Sequence, residues 1–203
     1  GAKIKIKNGY IIAEAKNGLK GAKINFPDIS VGATENAILA AFKANGKTTL
    51  INCAIEPEIK DLISFLNKLG GKIKFSRRTI VIYGCQNTNK DISHEIIFDR
   101  IEAGTYMIAA ALAGKGIVIN KIKSKIIKTE IDVLKKMGVK IKDKKNKNEI
   151  LKNENIKKIN ISTKPYPGFP TDLQAQLMVL MTRAQGTSKI KESIFENRFM
   201  HVP

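Results

Sequence analysis

Short apolar runs and longer helical periods alternate along this chain. Residues 10–15, 48–54 and 117–122 are rich in β-branched and apolar residues, so they predict strands, the first closed by the turn signal Asn17-Gly18. Residues 72–75 and 79–83 predict a strand pair around Ser76-Arg77-Arg78. Residues 34–44 read as a helix ended by Asn45-Gly46, with glycine in the left-handed position after the last turn. Glu56-Pro57-Glu58 opens a second helix, with proline in its first turn and acids near the positive end of its dipole. In that helix Ile59, Leu62, Ile63 and Leu66 share one face, and Leu69-Gly70 stops it. Further helices are predicted over 105–113 and 130–137, and from Thr171-Asp172 onward.

The elements recur with a period of about seventy residues, too long for a simple solenoid repeat. Gly1-Ala2-Lys3-Ile4-Lys5-Ile6 returns as Gly70-Gly71-Lys72-Ile73-Lys74-Phe75 and again as Gly138-Val139-Lys140-Ile141-Lys142. Gly46, Gly116 and Gly186 keep the same spacing, each read as closing a helical stretch. Thr34, Thr105 and Thr171-Asp172 mark where those stretches begin. The fold class expected is therefore α/β (α+β), built from repeated β-α-β-α-β-β units. The first unit starts after its own helix and the third stops at Pro203, so the chain reads as an internal piece of something longer.

One loop stands out. Lys164-Pro165-Tyr166-Pro167-Gly168-Phe169-Pro170 holds three prolines, each fixing φ and lacking an N–H, and runs into a helix start. Thr171 or Asp172 could cap that helix, with Gln174 completing a capping-box pattern. Asp172 is then a carboxylate held at the positive end of a helix, which fits either a common first-turn acid or an aimed catalytic group.

Charge and cysteine content narrow the classes. The net charge is +18, from 36 basic and 18 acidic residues, which favours anionic partners. The excess is nearly all lysine, spread along the chain; its densest patch, 140–147, reads as a strand end and a polar turn. There is no tryptophan, and the aromatic residues do not interleave with the basic ones, so no specific nucleic-acid surface is expected. The longest apolar run, 107–113, is far short of a membrane span, and no secretory signal opens the chain. Two cysteines, Cys53 and Cys85, without metal-ligand spacing suggest a reducing, cytoplasmic setting. His94 and His201 alone give little material for a histidine-based metal site, and no cofactor is expected.

Several segments together carry a family resemblance. They are Ser30-Val31-Gly32-Ala33-Thr34-Glu35-Asn36, Glu56-Pro57-Glu58-Ile59, Asp99-Arg100-Ile101-Glu102-Ala103-Gly104-Thr105, the proline loop through Gln176, and Ile194-Phe195-Glu196-Asn197-Arg198-Phe199-Met200-His201-Val202-Pro203. In this order and spacing the whole chain resembles the bacterial UDP-N-acetylglucosamine enolpyruvyl transferases. The resemblance implies two inside-out α/β domains of three β-α-β-α-β-β units each, with the active site between them. The chain would then span 1–98, the later part of the first domain, and 99–203, the earlier part of the second, both incomplete.

The reaction so implied moves the enolpyruvyl group of phosphoenolpyruvate to the 3′-hydroxyl of UDP-N-acetylglucosamine, through a tetrahedral addition intermediate and loss of phosphate. It is the first committed step of peptidoglycan synthesis, and so of cell wall biogenesis, cell shape and cell division, in the cytoplasm. Asp172 matches the family's base. Ser30, Val31 and Gly32 match the stretch that meets the uridine-diphosphate end, against the alternative of an ordinary cap and turn. Ile194 matches a backbone contact to the nucleotide sugar, and Phe195 either packs on the ligand or joins the core. Arg198 either faces the anionic cleft or pairs with Glu196 or Glu102; Arg100, next to Asp99, is open in the same way, with holding the hinge the favoured role, and His201 is structural. The family's mobile loop with its reactive Cys or Asp precedes residue 1, and neither Cys53 nor Cys85 can replace it. Asp28 stands where some members carry lysine, against a cationic diphosphate contact there. The 203-residue chain alone is therefore expected to show no transfer. Three rivals remain: an enolpyruvylshikimate-phosphate synthase-like transferase, a nucleic-acid-binding protein like RNA-terminal phosphate cyclase, and a non-catalytic structural remnant.

Overall fold

The computed structural model of the chain describes residues 1–89, 91–114, 116–144, 146–151 and 155–202. Lys145, inside the expected polar turn, and Pro203 lie outside the described residues. The chain divides into two compact units, Gly1–Ile97 and Phe98–Pro203.

The first unit begins with an antiparallel hairpin, β1 (Lys3–Lys7) and β2 (Tyr10–Glu14). Asn8 (φ 51°) and Gly9 (φ 79°) close it, so the hairpin turn is this Asn-Gly pair rather than Asn17-Gly18, which follows β2. All ten strand residues are exposed. A four-stranded sheet of order β3-β4-β6-β5 follows, made of β3 (Lys23–Asn25), β4 (Lys47–Ile51), β5 (Lys72–Ser76) and β6 (Thr79–Tyr83). β3 and β4 run parallel across the helix α1 (Val31–Phe42); β4 and β5 each pair antiparallel with β6. With α2 (Pro57–Lys68) the order is β-α-β-α-β-β, as the sequence pattern predicts. Ile38 and Phe42 of α1 and Ile59, Ile63 and Leu66 of α2 bury against Leu50, Ile73, Ile80 and Ile82 of the sheet.

The second unit opens with α3 (Arg100–Ala113), five residues before the expected start at Thr105. Asp99 is its cap: the carboxylate accepts from the N–H of Ile101 at 2.7 Å and of Glu102 at 3.0 Å. The signal was legible as Asp99 followed by Glu102 at the third helical position. A three-stranded sheet of order β7-β9-β8 comes from β7 (Ile117–Asn120), β8 (Ile141–Lys144) and β9 (Lys147–Ile150), with α4 (Lys128–Lys136) between β7 and β8. Two short parallel pairs follow: β10 (Ile156–Lys157) with β12 (Ala184–Gln185), and β11 (Asn160–Ser162) with β13 (Lys189–Lys191). Between β11 and β12 stand a 3-10 turn (Thr171–Leu173) and α5 (Gln174–Met181). The core gathers Met107, Ile127, Leu134, Met137, Ile150, Leu173, Leu177 and Leu180.

The repeat detected in the sequence is real in space, since β1, β5 and β8 are each the first strand of a hairpin. Its glycine markers act differently from expectation. α1 ends at Phe42 and α3 is closed by Gly114 (φ 67°), whereas Gly46 and Gly116 directly precede β4 and β7, and Gly186 directly follows β12. Gly46 is still left-handed (φ 95°), but as the step into a strand.

Candidate functional site

In the first unit the Ser30-Val31-Gly32 stretch is a helix start. Ser30 is extended (φ −134°, ψ 125°) and its Oγ accepts from the N–H of Ala33 at 3.2 Å, so Ser30 is the cap of α1. Val31 and Gly32 are therefore the first two helical residues, not a turn ahead of the helix. Their N–H groups have no carbonyl one turn back to donate to, which leaves two donors at the positive end of α1. A Cβ built on Gly32 would meet nothing within 4 Å, so that side of the turn is open. Thr34 anchors the cap from within: its hydroxyl donates to the Ser30 carbonyl at 2.7 Å and accepts from the N–H of Ala54 at 3.0 Å. Glu35, half-buried one residue later, has its carboxyl pushed above the usual range, first by burial and then by Glu58 and Glu56.

In the second unit the proline loop is closed on itself and pinned from two helices. The Lys164 N–H donates to the Phe169 carbonyl at 2.9 Å and the Gly168 N–H to the Pro165 carbonyl at 2.8 Å; the Tyr166-Pro167 peptide is cis. A Cβ on Gly168 would stand 2.4 Å from Lys164 Cβ, so only glycine fits. The hydroxyl of Thr129 in α4 donates to the Pro167 carbonyl at 2.6 Å. The buried guanidinium of Arg100 lies 5.7 Å from the centre of the Tyr166 ring and 3.6 Å from Glu130, so Arg100 holds the loop inside its own unit.

The loop delivers a 3-10 turn rather than the expected capping box. Pro170 stands in the cap position, with no side-chain cap. Thr171 donates its hydroxyl to Glu192 Oε2 at 2.8 Å, and Gln174 is buried with its amide toward Met178 Sδ at 3.7 Å. Leu173 is wholly buried and packs under α3, where a Cβ on Gly104 would come within 2.4 Å of Leu173 Cδ1. Between the committed Thr171 and the buried Leu173, Asp172 is turned out, with 53% of its side chain exposed.

Arg198 meets it there. Its Nη2 donates to Asp172 Oδ1 at 3.1 Å, and its guanidinium lies 5.0 Å from the centre of the Phe195 ring. Arg198 thus pairs with neither Glu196 nor Glu102, the two acids the sequence offered. The second carboxylate oxygen, Oδ2, carries no hydrogen bond among the described residues. Phe195 is 56% exposed, so it stays out of the core and covers the guanidinium. The N–H groups of Ile194 and Phe195 both donate to Glu192 Oε1, at 2.7 and 3.2 Å. Burial pushes the Glu192 carboxyl up, but hydrogen bonds from Thr171, Ile194, Thr163 and Phe195 outweigh it and hold it below the usual range. Glu192 was not singled out by sequence: it sits in a polar stretch with no motif of its own.

Asp172, Ile194, Phe195 and Arg198 are therefore brought together in the second unit, while Ser30, Val31 and Gly32 belong to the first. Cys53 lies past the end of β4, not inside it as expected, and burial first of all pushes its thiol up to about 11, so it is no ready nucleophile. Cys85 donates its thiol to the Asn87 carbonyl at 2.9 Å. An open groove of about 730 Å³ lined by the paired strands β11 and β13 includes none of these residues. Among the described residues no group of three or more His, Cys, Asp or Glu could hold a metal.

The profile of one protein family, described as EPSP synthase (3-phosphoshikimate 1-carboxyvinyltransferase), matches residues 1–203. The chain belongs to this EPSP synthase family. Within it, the chain is 59% identical over 203 residues to the UDP-N-acetylglucosamine 1-carboxyvinyltransferase of Pelagibacter ubique, covering all of this chain and 48% of that protein. It is 50% identical to the protein of the same name from Aliarcobacter butzleri, again covering 48% of it. The chain thus spans about half the length of the curated relatives it matches. Among solved structures, the enolpyruvyl transferase NikO from Streptomyces tendae superposes with a TM-score of 0.85 at 22% identity, over 100% of this chain and 51% of that one. EPSP synthase from Acinetobacter baumannii gives a TM-score of 0.62 at 20% identity, over 94% of this chain and 45% of that one. At these identities the two structures establish a shared EPSP synthase-type fold.

Proposed function

We propose that the protein to which this chain belongs transfers the enolpyruvyl group of phosphoenolpyruvate to the 3′-hydroxyl of UDP-N-acetylglucosamine. The observation that carries this reading is the Asp172–Arg198 pair beside Phe195, exposed at the end of a pinned loop. Transfer needs a carboxylate to take the sugar hydroxyl proton as its oxygen bonds to C2 of the enolpyruvyl group, while C3 gains a proton from an acid. Phosphate then leaves as C3 gives up a proton and the double bond re-forms. Asp172 has Oδ2 for the hydroxyl, with Oδ1 oriented by Arg198. The positive charge of the guanidinium suits the anionic donor. The first two N–H groups of α1, at Val31 and Gly32, suit the diphosphate of the nucleotide. The two units would be parts of the two domains of such an enzyme, 1–98 from the first and 99–203 from the second.

The identities favour the sugar nucleotide over shikimate 3-phosphate as acceptor, since relatives at 59% and 50% bear the sugar-nucleotide name. Peptidoglycan synthesis follows from the reaction; a cytoplasmic setting and a part in cell shape and division are further elements of the proposal. Among the described residues no helix is long and apolar enough to cross a membrane.

The test supplies the full-length protein with phosphoenolpyruvate and either acceptor. Phosphate release and enolpyruvyl product with UDP-N-acetylglucosamine alone support the reading; turnover only with shikimate 3-phosphate replaces it with the sister reaction. Binding of RNA that weakens steeply with salt, without turnover, would favour the nucleic-acid alternative. The 203-residue chain by itself is expected to give no product.

A further inference from the structure

One carboxylate ties together every segment of the second-unit cluster. Glu192 Oε1 accepts from the Thr163 hydroxyl at 2.8 Å and from the Ile194 and Phe195 N–H groups, while Oε2 accepts from the Thr171 hydroxyl at 2.8 Å. Thr163 is wholly buried at the end of β11 and is fixed in turn: its N–H donates to the Lys191 carbonyl at 2.9 Å, its Oγ1 accepts from the Ser193 N–H at 2.9 Å, and its carbonyl accepts from the Ser193 hydroxyl. Glu192 therefore joins the rigid strand end, the residue before Asp172, and the turn that carries Phe195 and then Arg198.

We propose that Glu192 is a positioning residue, which sets the Asp172–Arg198 pair by clamping Thr171 and the 193–195 turn to one carboxylate. The chemistry calls for an acceptor-only group. Four donors converge on it, and two of them are backbone N–H groups that cannot reverse their role. Glutamine can still serve: its oxygen takes the Oε1 place, its amide nitrogen faces Thr171, and the threonine hydroxyl turns to accept. Aspartate is one methylene shorter and cannot span both sides. Alanine leaves the two backbone donors and both hydroxyls without their acceptor. With the clamp gone, Asp172 and Arg198 lose their common reference, and displacement of a reacting group by about 1 Å costs up to about a hundredfold in rate.

As a role in catalysis this inference rests on the enolpyruvyl-transfer reading, and the experiment separates the two. In the full-length protein, Glu192→Ala is expected to lower kcat by about tenfold to a hundredfold, with the KM for phosphoenolpyruvate changed far less, and Glu192→Gln to restore most of kcat. Thr171→Val, which removes one donor only, is expected to lower kcat less, and its loss is not to add to that of Glu192→Ala, because both break the same link. Additive losses, or kcat within twofold of wild type in Glu192→Ala, overturn the proposal. Crystal structures of Glu192→Gln and Thr171→Val supply the reading-independent arm. A displaced Asp172–Arg198 pair in Thr171→Val and a preserved one in Glu192→Gln support the clamp, and an unmoved pair in Thr171→Val overturns it. If the wild-type protein shows no transfer, the functional reading fails while this arm still decides the clamp; if Glu192→Ala does not fold, the two milder variants carry both arms.

Discussion

The two units each present a helix start to the candidate chemistry, and they build it in opposite ways. At α1 the cap is local: Ser30 accepts from the N–H of Ala33, and Thr34 ties the cap to Ala54. At α5 nothing local caps. Thr171, the residue that pattern would make the cap, reaches across to Glu192, and Leu173 anchors the 3-10 turn in the core. A local cap leaves backbone N–H groups facing outward, which suits an anion. A turn held from a distance leaves a side chain facing outward, which suits a base. On the proposed function, the first start would bind and the second would react.

That contrast can be broken at four points. The largest effect is expected from Leu173→Ala, which empties a wholly buried site under α3 and should destabilise the second unit by about 2–5 kcal/mol, read by denaturant unfolding with amide exchange resolving the units; an equal loss in the first unit would contradict separate anchoring. Next, Asp172→Asn in the full-length protein should cut turnover at least about a hundredfold with nucleotide-sugar affinity much less changed; near-normal turnover removes Asp172 from the chemistry. Smaller again, Ser30→Ala should cost about 1 kcal/mol of stability in the first unit, and no measurable loss would show that Thr34 alone holds that start.

The smallest effect is in pH. Glu192 has its pKa lowered, so its contribution is present above the unfolded carboxylate value, about 4.3, and is lost as pH falls through its folded value. Glu35 has its pKa raised, so its contribution is full below the unfolded value and is lost as pH rises through the folded one. Acidification through the carboxylate range should therefore loosen the 192–195 turn while it relieves the start of α1. Amide exchange followed from pH 6 downward checks both signs, and Glu192→Gln should flatten the first of them.

Sequence alone reached the β-α-β-α-β-β order of the first unit because each element there carries its own period, cap or turn. It also picked out Asp172, Ile194, Phe195 and Arg198, through contiguous motifs. What it missed depends on distance along the chain. The Asp172–Arg198 pair spans 26 residues, and the Thr163–Glu192 bond spans 29, so neither leaves a local trace. The start of α3 was misplaced for another reason: the threonine repeat suggested Thr105, while the local Asp99…Glu102 signature marked the true cap. Glycine spacing misled in the same way, because Gly46 turns the chain into a strand rather than ending a helix.

The opening hairpin bears on how this chain behaves in the tube. One face of its ribbon shows Ile4, Ile6, Ile11 and Ala13 together, with Ile6 79% exposed, and the other carries Lys3, Lys5 and Lys7 opposite Glu14, Ile12 and Tyr10. Such a ribbon is apolar on one face and mixed, with an excess of positive charge, on the other. Added salt screens the lysines without touching the isoleucines. Concentrated solutions of the isolated chain should cloud as ionic strength rises, and a single lysine at Ile6 should keep them clear.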